Sequence, residues 1–317
     1  MIKAATSTGL SSIAYVARPR RGLRAERKAV GALLEAVQDE FTETYEIQSV
    51  AGTLHIAISG RFRLPFPIIC AISLYMRWQD EGVLLSVRKH GETAVIIEVF
   101  TETRGRHLGL VRGGVSRKKT PFLQPGAQLA LAWSARLENH LGVFEAEPIR
   151  TRAGRLLDDR AGLAALNAAC ALLASLLPER EPQPDLYAPT IALFDALADS
   201  PDWPTIYAHW ELALLEALGY GLDLSNCAVT GQTQELIWVS PKTGRAVSRA
   251  AGEPYADRLL PLPDFLRFGD LAAREEIADA LKLSGHFLRK WAYAGVGVDA
   301  APPARGRLTA LFETETV

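Results

Sequence analysis

The stretch of residues 82–100, GVLLSVRKHGETAVIIEVF, decides the fold of the central part of this chain. Its two halves, 82–88 and 94–100, are rich in branched aliphatic residues, as β-strands are. The polar residues 90–92, with a glycine at their centre, have the composition of a turn. The pattern therefore predicts a β-hairpin.

Three further strands are predicted downstream, at 107–112, 128–137 and 142–149. In the second of them Leu129, Leu131, Trp133 and Ala135 stand at every second position, so these four side chains share one face of the strand. Five short antiparallel strands in about 75 residues favour a small closed barrel of the OB type, because closure removes exposed strand edges.

A cationic loop joins the third and fourth strands of this predicted barrel. Within LGLVRGGVSRKKTPFLQPGAQL, residues 108–129, the loop carries Arg112, Arg117, Lys118 and Lys119 inside eight residues. Gly113 and Gly114 are predicted to let the backbone approach a ligand closely. A β-scaffold with such a loop suits binding to a nucleic-acid backbone without reading its sequence. The competing interpretation is a solvated hairpin loop.

After Gly154 the hydrophobic period becomes helical. Helices are predicted from Asp158 or Asp159 to about 177, over 189–198, 205–218 and 274–294, with a frayed tail from 295 onward. Segments 235–240 and 245–248 flank a Pro-Lys-Thr-Gly turn and predict an inserted β-hairpin. The fold class is therefore α+β: an OB-type barrel at 76–153, then a mainly α-helical domain at 154–317 with an insert at about 225–265.

The first 75 residues differ from the rest of the chain. The ordered pattern begins directly after Met76, the second of only two methionines, so we expect Met76 to be the natural start and 1–75 to be an over-extended translation. A competing interpretation is a transit peptide, because residues 1–25 contain arginines but no acidic residue. If translated, the segment is expected to form a poorly specified appendage with one helix near 27–41.

Charge divides the chain of 317 residues more sharply than its total of −1 indicates. Residues 76–155 hold 13 basic and 8 acidic groups, or +5, whereas 156–317 hold 13 and 22, or −9. A basic module followed by an acidic one indicates different partners for the two parts. Three widely spaced cysteines argue against a disulfide framework and indicate a reducing cytoplasm. Apolar runs are too short for a membrane span.

Hydrolase and nucleotide-binding signatures are missing from the sequence. It contains no G-x-S-x-G elbow, H-E-x-x-H pair, Walker-type phosphate loop or G-x-G-x-x-G fingerprint. We therefore expect no catalytic residues and no cofactor. An OB-fold module that binds RNA or single-stranded DNA, with a helical domain for partners, remains a competing hypothesis to the one that follows.

Several stretches, in this order and spacing, resemble the RecO family of bacterial recombinational-repair proteins. They are WQDEGVLLSVRKHGE at 78–92, GLVRGG at 109–114 with SRK at 116–118, Pro125-Gly126, the strand around Trp133, and LGYGLDLSNC at 218–227. The resemblance covers about residues 76–295, and the family's usual start also falls near Met76.

The resemblance implies a non-catalytic DNA transaction in the cytoplasm, at the nucleoid. Members of the family bind single- and double-stranded DNA and anneal complementary strands. With RecR they help to load RecA onto DNA coated by single-strand-binding protein, whose acidic C-terminal tail they also bind. No membrane is involved.

The family's frequent four-cysteine zinc site is incomplete in this sequence. Cys227 stands at the first ligand position, Thr230 occupies the second, and no cysteine follows. A structural zinc needs four ligands, so we predict that no metal is bound.

The candidate DNA contacts are basic residues at strand ends and loops of the predicted barrel. They are Arg88, Lys89, Arg104, Arg106, Arg112, Arg117, Lys118 and Lys119. A possible second basic patch on the inserted hairpin comprises Lys242, Arg245 and Arg249, which could extend the DNA path or receive an acidic peptide.

Overall fold

A computed structural model describes residues 4–7, 10–17, 45–50, 53–60, 76–137, 139–269, 271–297 and 300–313. The chain divides into two compact units, Met1–Ser73 and Leu74–Val317.

The first unit contains four antiparallel strands that the sequence analysis did not predict. They are β1 (Ala4–Ser7), β2 (Leu10–Ala17), β3 (Tyr45–Val50) and β4 (Thr53–Gly60), in the spatial order β1-β2-β4-β3. The helix predicted near 27–41 lies outside the described residues.

The second unit begins with the predicted barrel. Its strands are β5 (Met76–His90), β6 (Ala94–Thr101), β7 (Gly105–Val111), β8 (Gln128–Ala135) and β9 (Val143–Arg150). They close in the order β5-β6-β7-β9-β8, and a parallel bridge between Leu110 and Val143 joins β7 to β9. The prediction of a five-stranded OB-type domain is confirmed. Strand β5 starts six residues earlier than expected, because its first half pairs with β8 and its second half with β6.

The barrel interior follows the alternation seen in the sequence. Leu129, Leu131, Trp133 and Ala135 of β8 are all buried, with at most 6% of each residue exposed. Strand β5 serves two cores. Leu84 belongs to the barrel core, whereas Val83 and Leu85 pack into the core of the helical domain. The two domains therefore share apolar surface along this strand.

Three helices follow the barrel: α1 (Arg160–Leu176), α2 (Pro184–Asp199) and α3 (Trp203–Ala217). The Asp159 carboxylate caps α1 by accepting from two backbone N–H groups at 3.0 Å, as predicted. Helix α2 starts five residues before its predicted start. Its first residue is a proline, whose fixed φ suits the first helical position. A backbone N–H at that position has no partner within the helix, so its absence from proline costs no hydrogen bond.

The insert forms a small sheet of three strands, β10 (Leu236–Val239), β11 (Ala246–Ser248) and β12 (Leu260–Pro261), with the short helices α4 (Arg249–Gly252) and α5 (Phe265–Phe268). The predicted hairpin corresponds to β10 and β11. Strand β12 pairs with the other edge of β10 and was not predicted, because two residues carry no periodicity.

The C-terminal part is more ordered than predicted. Helix α6 (Arg274–Phe287) continues into a π-helical turn, Leu288–Tyr293, and α7 (Pro303–Thr309) follows. The prediction of a frayed tail is wrong, because Arg305 of α7 is buried and bonds to the buried Glu211 carboxylate at 2.8 and 2.9 Å. Among the described helices, none is both long and apolar enough to cross a membrane.

One buried arginine links the barrel to the helical domain. Arg152 is 2% exposed and donates to the Asp195 carboxylate of α2 at 2.7 Å. The same guanidinium donates to the Gly126 carbonyl at 3.0 Å and to the Gln128 side chain at 3.1 Å. It thereby joins the loop before β8 to α2, which orients the cationic loop relative to the helices.

Candidate nucleic-acid interface

The cationic loop between β7 and β8 is held by a chain of local turns. Backbone hydrogen bonds run from Ser116 to Gly113 at 3.1 Å, from Lys119 to Ser116 at 3.0 Å, and from Leu123 to Lys119 at 3.1 Å. Leu123 is buried in the barrel core, and Phe122 packs partly against it. The loop therefore presents its charges from a structured backbone, which lowers the entropy lost on binding.

The two glycines of this loop have different structural roles. Gly113 has φ +65°, a conformation that costs other residues energy, and it faces open space. Gly114 lies against Val95, whose side chain would overlap any added Cβ. The absence of a side chain at Gly114 is therefore explained by packing against Val95, and the close approach of a ligand to this loop stays a prediction.

All four basic side chains of the loop remain available at the surface or near it. Arg112, Arg117 and Lys118 are exposed, and Lys119 is half-buried. The Lys119 ammonium donates to the Arg112 carbonyl at 3.0 Å, which ties together the two ends of the basic segment. An ammonium has three donors, so two remain for a phosphate.

The end of the β5–β6 hairpin lies at the same edge of the barrel. Lys89 pairs with Val95 of β6, and Val95 pairs in turn with Val111 of β7, immediately before Arg112. Arg88 and Lys89 are both exposed. The fold thus brings six of the eight predicted DNA contacts to one end of the barrel.

Arg104 and Arg106 lie at the opposite end of β7, in and next to the β6–β7 turn. The Arg106 guanidinium forms an ion pair with Glu98 and donates to the Leu177 carbonyl at 2.6 Å. Arg106 therefore has a structural role and is removed from the set of candidate contacts. Arg104 is exposed, and its guanidinium lies 5.9 Å from the centre of the Trp78 ring.

Arg136 was not among the predicted contacts. This exposed residue follows the last residue of β8 and lines a shallow cleft of about 500 Å³ together with Arg112, Lys119 and His140. One carboxylate, Glu145, also lines it. Only the strand order could have identified Arg136. Ser134, near the end of β8, pairs with Val143 of β9, and Val143 is bridged to Leu110 near the end of β7. We call Arg88, Lys89, Arg112, Arg117, Lys118, Lys119 and Arg136 the cationic end of the barrel.

The second predicted patch, on the inserted hairpin, is only partly available. Lys242 and Arg249 are exposed, whereas the Arg245 guanidinium bonds to Asp223 at 3.2 Å. Lys290 of the π-helical turn donates to the Pro241 carbonyl at 2.5 Å and adds a charge beside Lys242.

Cys227 forms hydrogen bonds with the backbone of the insert. The Cys227 sulfur accepts from the backbone N–H of Ser248 at 3.3 Å and of Thr230 at 3.5 Å. Burial by itself would raise the pKa of the thiol, but these hydrogen bonds lower that pKa to about 6. Within the described part of the chain, no group of three or more His, Cys, Asp or Glu residues is placed to hold a metal ion.

Comparison with known proteins places this architecture in a family. The family model described as "Recombination protein O N terminal" matches residues 76–152, and "Recombination protein O C terminal" matches 157–291. The chain is similar to proteins named DNA repair protein RecO. It is 58% identical to that of Ruegeria sp. (strain TM1040) over 232 residues, 73% of this chain and 96% of the relative. Identity is 55% with the protein of Cereibacter sphaeroides (strain ATCC 17029 / ATH 2.4.9) over 237 residues, 75% and 98% of the two chains. Identity is 48% with the protein of Jannaschia sp. (strain CCS1) over 242 residues, which are 76% of this chain and 98% of the relative. The chain therefore belongs to the RecO family.

Proposed function

We propose that this chain is a non-catalytic mediator of recombinational DNA repair that binds single- and double-stranded DNA through the cationic end of the barrel. The observation that carries this proposal is the convergence of seven basic residues on one end of an OB-type domain. The name that the relatives share, DNA repair protein RecO, supports the role in repair.

The chemistry of the cationic end suits the DNA backbone. Guanidinium groups such as those of Arg112 and Arg136 offer paired donors to phosphate oxygens, and neutralising phosphates releases counterions. Such contacts act on any sequence. Holding two strands on one cationic surface reduces their mutual repulsion, so the same surface is suited to annealing complementary strands without ATP.

The proposed partners follow from the family. With RecR the chain would help to load RecA onto DNA coated by single-strand-binding protein. The acidic C-terminal tail of that coat protein would bind the helical domain, where Lys242, Arg249 and Lys290 supply positive charge next to the inserted hairpin. We propose that this work takes place in the bacterial cytoplasm, at the nucleoid.

The test is fluorescence annealing of two complementary oligonucleotides by the full chain, without ATP or metal. The test variant replaces Arg112, Arg117, Lys118 and Lys119 by alanine. A matched control removes four exposed charges from the helical domain instead, through Arg160→Ala, Arg258→Ala, Lys282→Ala and Arg307→Ala.

We expect the parent and the control to accelerate annealing and the loop variant to lose most of that acceleration. Equal loss in both variants would show that net charge, and not the loop, is responsible. If the parent binds single strands tightly but slows their pairing, the protein is an OB-fold binding module and not a mediator.

A further inference from the structure

A second cleft, of about 620 Å³, lies between the barrel and α2. Its walls come from the first half of β5, the β6–β7 turn, the start of β8 and one side of α2. The residues that matter here are Asp80, Glu81, Glu102, Gln128, Tyr187 and Asp195. We call it the acidic cleft.

The charge of Asp195 is already balanced within the protein. Its carboxylate lies 2.7 Å from the guanidinium groups of both Arg150 and Arg152. Burial by itself would raise the pKa of Asp195, but hydrogen bonds from the two arginines hold that pKa below its ordinary value. Asp195 therefore belongs to the junction between the domains.

The other three carboxylates have no cationic partner within the described residues. Asp80 accepts from the Thr103 hydroxyl at 2.6 Å, and Glu81 accepts from the Gln128 amide at 3.3 Å. Glu102 is exposed and makes no hydrogen bond to the described part of the protein. These neutral donors orient Asp80 and Glu81 but leave their negative charge uncompensated.

Tyr187 adds an aromatic ring and a hydroxyl to the cleft. Only 9% of the residue is exposed, its ring packs edge-on against Phe100 at 5.4 Å, and its side chain lines the cleft. The hydroxyl has no hydrogen-bond partner among the described residues, and it is not fully buried, so it is accessible from the cleft. Burial, followed by the nearby carboxylates, raises the pKa of Tyr187 to about 12, so the hydroxyl stays neutral and can both donate and accept a hydrogen bond.

We infer that the acidic cleft is a docking site for an arginine- or lysine-bearing segment of a partner protein. Carboxylates, a hydroxyl and an aromatic ring together match the donors and the charge of such a side chain. A cleft of this size accommodates a few side chains.

The position of the cleft is compatible with simultaneous DNA binding. Gln128 starts β8 at the acidic cleft, whereas Arg136 follows the end of β8 at the cationic end of the barrel. The negative charge repels phosphates, so the cleft is expected to exclude DNA and to remain open to a protein partner.

The test uses the full chain and a fluorescein-labelled hexa-arginine peptide, with binding followed by fluorescence anisotropy at low salt. Glu81→Gln/Glu102→Gln removes two charges from the cleft with little change of shape. The matched control, Glu216→Gln/Glu253→Gln, removes two exposed carboxylates elsewhere. Tyr187→Phe removes the hydroxyl and no charge.

We expect the cleft variant to weaken peptide binding by about fivefold or more, Tyr187→Phe by about threefold, and the control by less than about twofold. Equal weakening by the cleft and control variants, or the absence of saturable binding by the parent, would overturn the inference. Binding of single-stranded DNA by the cleft variant should stay within about twofold of the parent. This reports on folding and keeps the inference separate from the DNA-binding proposal.

Discussion

Replacing Arg305 by methionine should destabilise the helical domain strongly, because it leaves Glu211 buried without its cation. Two hydrogen bonds from Arg305 to this carboxylate disappear, while the Ser284 hydroxyl, at 2.5 Å, still donates to it. Breaking a buried ion pair costs about 3–5 kcal/mol. The expected loss is therefore about 3–5 kcal/mol.

Urea denaturation followed by tryptophan fluorescence measures this loss. Arg307→Met is the matched control, since it removes an exposed arginine from the same helix and should change stability by less than about 0.5 kcal/mol. Equal effects of the two substitutions would refute the structural role assigned to Arg305.

Three further predictions concern the barrel and its junction with the helical domain. In a urea titration, Gly105→Ala should lower the free energy of unfolding by more than about 2 kcal/mol, because the added Cβ would overlap a backbone carbonyl. Gly91 has a similar φ but open space around it, so Gly91→Ala should lower that free energy by only about 1 kcal/mol. The parent should have a larger free energy of unfolding than Asp195→Asn near neutral pH, and this difference should disappear as the pH falls through the lowered pKa of Asp195. A carboxylate with a depressed pKa stabilises the fold only while it is ionised. In anisotropy titrations, Arg136→Ala should weaken binding of single-stranded DNA several-fold, whereas Arg106→Ala should reduce stability and leave the DNA affinity of the folded protein nearly unchanged.

The elements that the sequence predicted well are those specified by local pattern. The alternation in β8 and the Asp159 cap of α1 depend on neighbours within a few residues, so composition and spacing were sufficient. Helix α7 depends instead on the contact between Arg305 and Glu211, 94 positions apart, and no local pattern reports such a partner. Its short length also left few residues on which to judge periodicity.

In the candidate site, too, the local sequence revealed some residues, whereas others could be assigned only from the fold. The basic loop is contiguous, so its charges were visible as a cluster in the sequence. The role of Arg106 depends on its pairing with Glu98 on the adjacent strand, and that of Arg136 on how the barrel closes. Both could be assigned only once the strand order was known.

The most direct test of the account is the salt dependence of the affinity for a single-stranded oligonucleotide, measured for the parent and for the four-alanine variant of Arg112, Arg117, Lys118 and Lys119. Each phosphate contact contributes about 0.7 to the slope of log K against log salt concentration, so four lost contacts should reduce the slope by about 2 to 3. The control lacking four basic residues of the helical domain should keep the parent's slope. A slope unchanged in the loop variant would contradict the claim that the cationic end of the barrel binds DNA.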